Sequence, residues 1–423
     1  MLNGRSLSVS RSGFEPGQKR RKPQEKAKQS GAHPSVHKVI AKVELEKQKQ
    51  GSQSPSNCAQ QDPRPPVNGR AAYLRNRFLI PLLLLAAFVV PASAKPLLKK
   101  TPADKSVDRA LEFLSNTQNR LDGSWTAGKS GKSVAVTSLS VMAFLSAGHV
   151  PGEGTYGKNI EKGVRWVLDQ QQPNGVIATD GTLEMYHHGI ATLLLAEVVG
   201  MLDAQRGKEV RAALEKAVAV IVKAQRRDEA NDGGWRYRVA HVRGADLSVT
   251  GWQVMALRGA KNVGCDVPPA TIDRAIDYIK RCQDARTGGF RYMPFNPVTI
   301  PCTGTGLLAL ELCGKKEHRS DAVLAAAAYL IRSENLPRWG DDHFFYGVYH
   351  GSQATFQVGG NYWSAYRNRL HQVLLRYQSS SGSWVGGLSD SPHGPNYCTA
   401  MAVLALTVEY RFLPIYQAAE AKP

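Results

Sequence analysis

The sequence predicts an all-α fold in which six helical hairpins form two concentric rings, an α6/α6 toroid. The first observation is a unit of about fifty residues that repeats six times, each copy an amphipathic helix, a turn and a more apolar helix. The second is the turn itself, which has the form Gln-(x)n-Gly-x-aromatic. No single hairpin can bury its apolar face alone, so neighbouring repeats must stack on one another.

The turn is clear in four repeats, weaker in one and degenerate in another. The clear copies are Gln118…Gly123-Ser124-Trp125, Gln225…Gly233-Gly234-Trp235, Gln283…Gly288-Gly289-Phe290 and Gln378…Gly382-Ser383-Trp384. The weaker copy is Gln172…Gly175-Val176-Ile177, and the degenerate one lies near Leu336-Pro337-Arg338-Trp339. Glycine gives the backbone freedom to turn, and the aromatic ring can wedge between hairpins. We interpret these turns as structural.

The two helices of each repeat differ in pattern. The first helices carry one apolar stripe, as Val107, Leu111 and Leu114 illustrate. The second helices are apolar on all sides, at 133–147, 190–199, 249–257, 303–312 and 399–408. A helix that is apolar all round is buried on both sides. The amphipathic helices are therefore expected outside, and the apolar helices inside. Six hairpins suffice to close the ring.

The N-terminal part of the chain has a different composition. Residues 1–77 contain 16 Lys and Arg against 5 Asp and Glu, and few aromatic residues. Such a segment cannot bury enough apolar surface to fold, so we expect it to be disordered. The high pI belongs largely to this arm, and the repeats are only mildly basic. We therefore expect no nucleic-acid partner.

Residues 78–94 have the features of an export signal. A basic Arg75-Asn76-Arg77 precedes an apolar run, and Ala92-Ser93-Ala94 matches a cleavage site before Lys95. The alternative is a retained membrane anchor, which would make the membrane a partner through residues 78–94. We therefore expect an exported (periplasmic or extracytoplasmic) or inner-membrane-anchored protein. A linker at 95–104, a toroid domain at 105–417 and a tail at 418–423 would follow.

Five cysteines follow the signal, at positions 265, 282, 302, 313 and 398. An odd number leaves at least one thiol unpaired in an exported protein. A domain of this size needs no disulfide scaffold. We expect most of the five to be small core residues.

The turns resemble the QW motifs of squalene and hopene cyclases, and the ring resembles the toroid shared with protein prenyltransferase β-subunits. The resemblance covers residues 105–417. It implies the α6/α6 fold and a central cavity for a hydrophobic, isoprenoid-like ligand. It says less about the reaction, since this fold carries several chemistries.

The residues departing from the cyclase pattern are as informative as those matching it. Cyclases protonate an alkene with the central Asp of a D-x-D-D-T-A segment. The matching stretch here is residues 395–402, in which Tyr397 stands at the position of the acid. A phenol with a pKa near 10 cannot protonate an alkene. The stretch beginning at Asp246 keeps only the first Asp, so protonation-initiated cyclisation is disfavoured.

The prenyltransferase pattern is also incomplete. That family holds zinc with Asp-x-Cys on one inner helix and His on another. Cys302 matches the Cys, but Ile300 replaces the Asp and Cys398 stands near the position of the His. A set of Cys302, His350 and Cys398 could bind zinc, but the ligands lie on separate repeats. The alternative is that both thiols are buried core residues.

The start of each inner helix is the expected place for a site, because these ends converge on one mouth of the ring. Helix N-termini there also favour anionic groups. The candidate cavity residues are His187, His188, Asp246, Cys302, Tyr346, Tyr349, His350, Gln353, Tyr397 and Cys398. The fifth repeat supplies several aromatic residues that suit an apolar ligand, or else an aromatic core seam. Asp341-Asp342 could instead serve as a carboxylate pair for glycan chemistry.

Three functions are consistent with this pattern. The first is a squalene cyclase- or prenyltransferase-like toroid binding an isoprenoid-like ligand; as an enzyme it would be an isomerase or a transferase. The second is a non-catalytic module that binds a peptide or protein. The third is a lyase or hydrolase acting on a glycan. The sequence contains no Gly-rich phosphate loop, G-x-S-x-G elbow, or H-E-x-x-H motif.

Overall fold

The computed structural model describes residues 99–240, 243–314, 317–387 and 389–417. In this part of the chain twelve α-helices alternate between two rings, which confirms the all-α toroid. The outer ring consists of α1 (Pro102–Thr117), α3 (Gly157–Asp169), α5 (Ala204–Ala224), α7 (Pro269–Arg281), α9 (Asp321–Leu330) and α11 (Gly360–Tyr377). The inner ring consists of α2 (Val134–Ser146), α4 (Glu184–Val198), α6 (Leu247–Asn262), α8 (Ile300–Cys313), α10 (Phe344–Val358) and α12 (Gly394–Leu406).

The helix ends depart from the sequence expectation where polar residues interrupt the apolar pattern. Helix α1 begins at Pro102, inside the predicted linker, with Thr101 and Asp104 forming a capping box. Helix α4 begins at Glu184 rather than near residue 190, and α12 begins at Gly394 rather than near 399. Between α7 and α8 a short antiparallel hairpin joins β1 (Phe290–Arg291) to β2 (Val298–Thr299).

The inner ring is closed. Each inner helix packs against the inner helix before and after it, and α12 packs against α2. Glycine permits the closest approach, because a Cβ on Gly304 of α8 would lie 2.8 Å from the backbone nitrogen of Gly351 on α10. The inner helices are buried along nearly their whole length.

Each Gln of the turn motif ties its hairpin to the next one. The side-chain amide of Gln118 donates to the carbonyl of Gly123 at 2.8 Å and to that of Asn159 on α3 at 2.9 Å. Corresponding pairs of bonds are made by Gln225, Gln283 and Gln378. In the second repeat the bonds come from Gln171, so the motif copy begins at Gln171 rather than at Gln172. Neighbouring glutamines cannot be distinguished by spacing alone.

The aromatic residue of the turn is a buried wedge. Trp125, Trp235 and Trp384 are fully buried, and each indole nitrogen donates to a carbonyl near the end of the preceding outer helix. The backbone nitrogen of the aromatic residue donates to a threonine hydroxyl on the following inner helix, as Trp125 does to Thr137 at 2.9 Å. The structural interpretation of these turns agrees with this geometry.

Three remaining features concern the rest of the chain. All five cysteines from Cys265 to Cys398 are buried and free. No helix of the described residues has the length and apolar character needed to cross a bilayer. The predicted basic arm, the segment 78–94, residues 95–98 of the predicted linker and the predicted tail 418–423 lie outside the described residues, so they remain predictions.

Candidate functional site

The two ends of the inner ring differ. One end, here called the mouth, is where the inner helices begin. The opposite end is covered by residues 411–417, which follow the last helix. There Ile415 donates its backbone N–H to Glu197 of α4 at 3.2 Å, and Tyr416 hydrogen-bonds through its hydroxyl to Tyr349 of α10. The mouth is the end of the inner ring that this segment leaves uncovered.

A buried carboxylate lies at the mouth. Asp246 caps the N-terminus of α6 and is fully buried. Its Oδ1 accepts hydrogen bonds from the Ser248 hydroxyl at 2.6 Å and the Val249 N–H at 2.9 Å, and its Oδ2 accepts from Arg236 at 2.8 Å. Burial raises the pKa of Asp246, while these three donors oppose that shift. With all donors directed at it, Asp246 serves as a hydrogen-bond acceptor.

Arg236 is held rigidly beside this carboxylate. Its Nη1 also donates to the Tyr292 hydroxyl at 2.6 Å, and its guanidinium carbon lies 4.2 Å from the centre of the Tyr237 ring. Tyr237 and Tyr292 share a hydrogen bond between their hydroxyls. Among the described residues the hydrogen bonds of Arg236 all use Nη1, which leaves the other N–H groups of this partly buried guanidinium without a partner.

Partly buried tyrosines surround this ion pair. They come from five repeats, the second to the sixth, and are Tyr186, Tyr237, Tyr292 and Tyr346, with Tyr397 near Tyr346. The Tyr186 hydroxyl lies 2.5 Å from the Ser248 hydroxyl, and the Tyr346 hydroxyl accepts from Thr305 at 2.9 Å. Burial raises the pKa of Tyr186, Tyr346 and Tyr397 well above the ordinary value, so all three phenols are neutral.

Beneath the tyrosines lies a floor of buried aromatic residues. Trp252 of α6 stacks on Tyr349 of α10 with ring centres 5.5 Å apart, and His350 packs edge-on against Trp252 at 5.1 Å. The Nδ1 of His350 lies 3.0 Å from the Tyr346 carbonyl, which places its proton there. Its Nε2 is buried with no hydrogen-bond partner among the described residues. Burial lowers the pKa of His350 to about 3.

Other predicted site residues have structural roles. His188 accepts from the Ile177 N–H at 3.1 Å and bonds the Ala217 carbonyl at 3.0 Å, so both ring nitrogens are used. It takes the place of the threonine that accepts this bond in the other turns. Gln353 is also buried, and its amide donates to the Leu404 carbonyl at 3.0 Å. His187 is bonded to Thr179 through Nδ1.

The zinc site considered for Cys302, His350 and Cys398 is not formed. The described residues contain no group of three His, Cys, Asp or Glu side chains that could hold a metal ion. Burial raises the pKa of Cys302 to about 11 and that of Cys398 to about 12, so both are thiols at neutral pH. His350 is enclosed by aromatic rings instead.

Sequence reasoning missed the polar residues that complete the mouth. Arg236, Tyr237 and Tyr292 lie directly after the aromatic residue of two turns, where the motif was interpreted as structural. The only signal was their polarity at the entry to an inner helix. Their convergence on Asp246 requires two neighbouring hairpins to be in register, as the backbone bond from Leu247 to the Tyr292 carbonyl shows.

A second group of carboxyls lies at the start of α10. Asp342 is exposed and accepts a hydrogen bond from Ser389, while Asp390 is buried and accepts from the Phe345 N–H at 3.4 Å. Burial raises the pKa of Asp390, and the nearby Asp342 adds to that rise. Asp341 pairs with Arg338 at 3.4 Å. The adjacent aspartates thus point to different partners.

Comparison with known families agrees with this architecture. The model of the prenyltransferase alpha-alpha toroid domain matches residues 83–235 and 236–336, which is more than half of the chain. The chain belongs to this toroid family. The predicted resemblance to the cyclase and prenyltransferase toroids is thereby confirmed. No curated protein matches the sequence of this toroid chain.

Solved structures with a similar fold carry different activities. The α-1,6-mannanase GH76A of Salegentibacter sp. HEL1_6 aligns over 74% of this chain and 100% of its own, with 9% identity and a TM-score of 0.57. A variant of that mannanase inactivated at two consecutive aspartates was solved with α-1,6-mannotriose.

Two further structures extend the comparison. The cellobiose 2-epimerase of Bacillus thermoamylovorans B4167 aligns over 72% of this chain and 98% of its own, with 10% identity and a TM-score of 0.53. The type II terpene cyclase MstE from Scytonema aligns over 74% and 99%, with 16% identity and a TM-score of 0.50. At these identities the likeness shows the fold, which this toroid shares with a terpene cyclase and with enzymes named for glycans.

Proposed function

We propose that this toroid binds an amphiphilic, isoprenoid-like ligand at the mouth of its inner ring. The observation that carries the proposal is the set of four partly exposed tyrosines, at positions 186, 237, 292 and 346, around the Arg236–Asp246 ion pair. Aromatic walls with a few fixed polar groups suit a ligand with an apolar body and one polar end. The apolar segment 78–94 supports a location outside the cytoplasm, either free or anchored.

The floor of the mouth restricts the ligand. Trp252, Tyr349 and Tyr416 fill the ring below the tyrosines. The ligand is therefore a molecule with a short apolar part, or the end of a longer one, and its polar group lies near Arg236. A guanidinium held on one side by a carboxylate presents its remaining N–H groups in a fixed orientation.

The proposal does not include protonation-initiated cyclisation. Such chemistry requires a strong acid aimed at an alkene. Asp246 instead accepts hydrogen bonds from Ser248, Arg236 and a backbone N–H, and Tyr397 is a neutral phenol whose pKa burial raises further. The site thus favours binding of the ligand over its cyclisation.

The test uses the purified full chain and a fluorescent farnesol analogue. We expect saturable binding that Tyr346→Ala and Arg236→Gln both weaken. Tyr362→Ala is the matched control, because Tyr362 is a partly exposed tyrosine near the start of α11, on the opposite face of the ring. Absence of saturable binding, or equal binding by all three variants, would reject the proposal. Mass spectrometry of lipids that co-purify with the protein would identify the natural ligand.

A second candidate function is hydrolysis of a glycan. The observation that favours it is the pairing of an exposed carboxylate, Asp342, with the buried Asp390, whose pKa burial raises. A buried carboxyl whose pKa is raised can act as a general acid, and an exposed carboxyl nearby can act as a base. The mannanase with the same fold, inactivated at consecutive aspartates, gives some support. We expect the protein to release reducing ends from α-1,6-mannan. Both Asp342→Asn and Asp390→Asn should lose this activity. No release by the unmodified chain would eliminate this candidate.

A further inference from the structure

In the part of the chain that the structure describes, the exposed large hydrophobic side chains lie on one face of the ring. Among the described residues the large hydrophobic side chains that are exposed are Leu121, Phe295, Tyr377 and Val385. Three of them lie in connections from an outer to an inner helix, and Tyr377 is the last residue of α11. All four are therefore on the face that holds the mouth. Single exposed apolar residues are ordinary, so the surroundings of each one decide its significance.

Phe295 is the most prominent of the four. It lies in the loop between β1 and β2 and its exposed fraction is 101%. Pro294 and Pro297 flank it, and each fixes one backbone dihedral, which stiffens the loop. The stiff loop therefore presents an aromatic ring that no other apolar side chain of the described residues covers.

Basic residues surround this loop. Phe295 borders a groove of about 910 Å3 that is also lined by Arg281, Arg286 and Arg291, with Asp284 as the one acidic side chain. Asp284 pairs with Arg291. Arg281 bonds the backbone carbonyl of Asp232, and neither it nor Arg286 forms an ion pair with a carboxylate of the described residues. The groove therefore carries a net positive charge beside an apolar tip.

We propose that this loop and groove dock the protein on an anionic lipid bilayer, with Phe295 inserted at the interface. An exposed aromatic residue beside cationic side chains is the combination that binds the surface of such a membrane. A bilayer accepts a projecting ring without a complementary pocket, which a protein partner would have to provide. Docking in this way would turn the mouth, which Tyr292 links to the loop, toward the membrane. The inference does not depend on the proposed ligand.

The test must distinguish this loop from the rest of the chain, since residues 1–98 could bind vesicles independently. An environment-sensitive fluorescent amino acid therefore replaces Phe295 in the full chain. The vesicles contain phosphatidylcholine, with or without phosphatidylserine, and lipids with a nitroxide on the acyl chain. We expect the nitroxide to quench the probe in vesicles that contain phosphatidylserine, and much less in neutral vesicles.

Charge variants complete the experiment. Arg281→Gln with Arg286→Gln should weaken the partition measured at the probe about 30-fold, because each basic residue near an anionic surface contributes on the order of 1 kcal/mol. Lys158→Gln with Lys208→Gln removes the same charge from exposed residues on the opposite face and is the matched control.

Three outcomes would overturn the proposal. An unquenched probe on a chain that still sediments with vesicles would assign binding to another segment. An equal loss of vesicle partition in the arginine variant and in the lysine variant would show a general effect of charge. A probe signal that changes with protein concentration in the absence of vesicles would assign this face to a second copy of the chain.

Discussion

Gln378 in the last turn of the ring donates its side-chain amide to the carbonyl of Ser106 in the first helix at 2.8 Å, across 272 positions of the sequence. The same amide donates to Gly382 in its own turn at 2.8 Å. This is the arrangement by which Gln118 joins the first hairpin to the second. The contact that links successive repeats thus also joins the last repeat to the first.

The first prediction is that Gln378→Ala destabilises the whole domain as much as Gln118→Ala does. Each variant loses the two hydrogen bonds that the side-chain amide donates, at about 1 kcal/mol each. It also loses the bonds that the amide oxygen accepts, from Asn159 in Gln118 and from Ser106 and Arg109 in Gln378. In a closed ring the last junction is equivalent to any other, so the two free energies of unfolding in urea should fall by similar amounts. A Gln378→Ala variant with unchanged stability would indicate an array whose ends are independent.

The second prediction concerns truncation. Deleting residues 364–423 removes α12, most of α11 and the segment that covers the far end of the ring. Helices α2 and α10 would then expose apolar faces that α12 buries. We expect loss of the helical circular dichroism and of protease resistance throughout the domain, rather than a shortened folded form. A soluble truncated protein with a cooperative unfolding transition would contradict ring closure.

The fold could be predicted because periodicity and turn chemistry repeat, so six weak signals reinforce one another. The site could not be predicted to the same extent. His188 resembled a ligand-binding histidine in the sequence. Its structural role is to accept the N–H of Ile177, as a threonine does in the other turns, and only the structure shows that bond. Arg236 and Tyr292 lie 56 positions apart and meet only when two hairpins stack. Such pairs depend on register between repeats, which no local pattern encodes.

The third prediction follows from the substitution of histidine for threonine in the second turn. In His188→Thr a hydroxyl can still accept the Ile177 N–H, as Thr137 accepts that of Trp125. In His188→Ala that buried N–H loses its partner, which costs on the order of 1–3 kcal/mol. We therefore expect His188→Thr to unfold at a higher urea concentration than His188→Ala. The farnesol analogue should bind both variants equally, and a selective loss in either would return His188 to the ligand site.

The fourth prediction concerns acid stability. Burial lowers the pKa of His187 and His188 to about 4 and that of His350 to about 3, from an ordinary value of 6.5. Below pH 6.5 the unfolded chain binds protons that the folded chain does not, so stability falls as the pH decreases toward 4. Urea unfolding measured from pH 7 to pH 5 should show this decline, with a shallower slope in His188→Thr. A free energy of unfolding that does not change between pH 7 and pH 5 would mean that these imidazole rings are solvated in the folded chain.

The last prediction concerns alkaline stability and the segment that covers the far end of the ring. Burial raises the pKa of Glu197 from 4.5 to about 8, and its carboxyl accepts the N–H of Ile415 at 3.2 Å. Between pH 4.5 and 8 the folded chain holds a proton on Glu197 that the unfolded chain has released. The free energy of unfolding therefore falls as the pH rises through this range, and the decrease is complete above pH 8. Glu197→Gln keeps an acceptor for Ile415 and cannot ionise. Its free energy of unfolding should match that of the unmodified chain at pH 5 and exceed it at pH 9. A constant difference between the two proteins at both pH values would show that Glu197 does not titrate in the folded state.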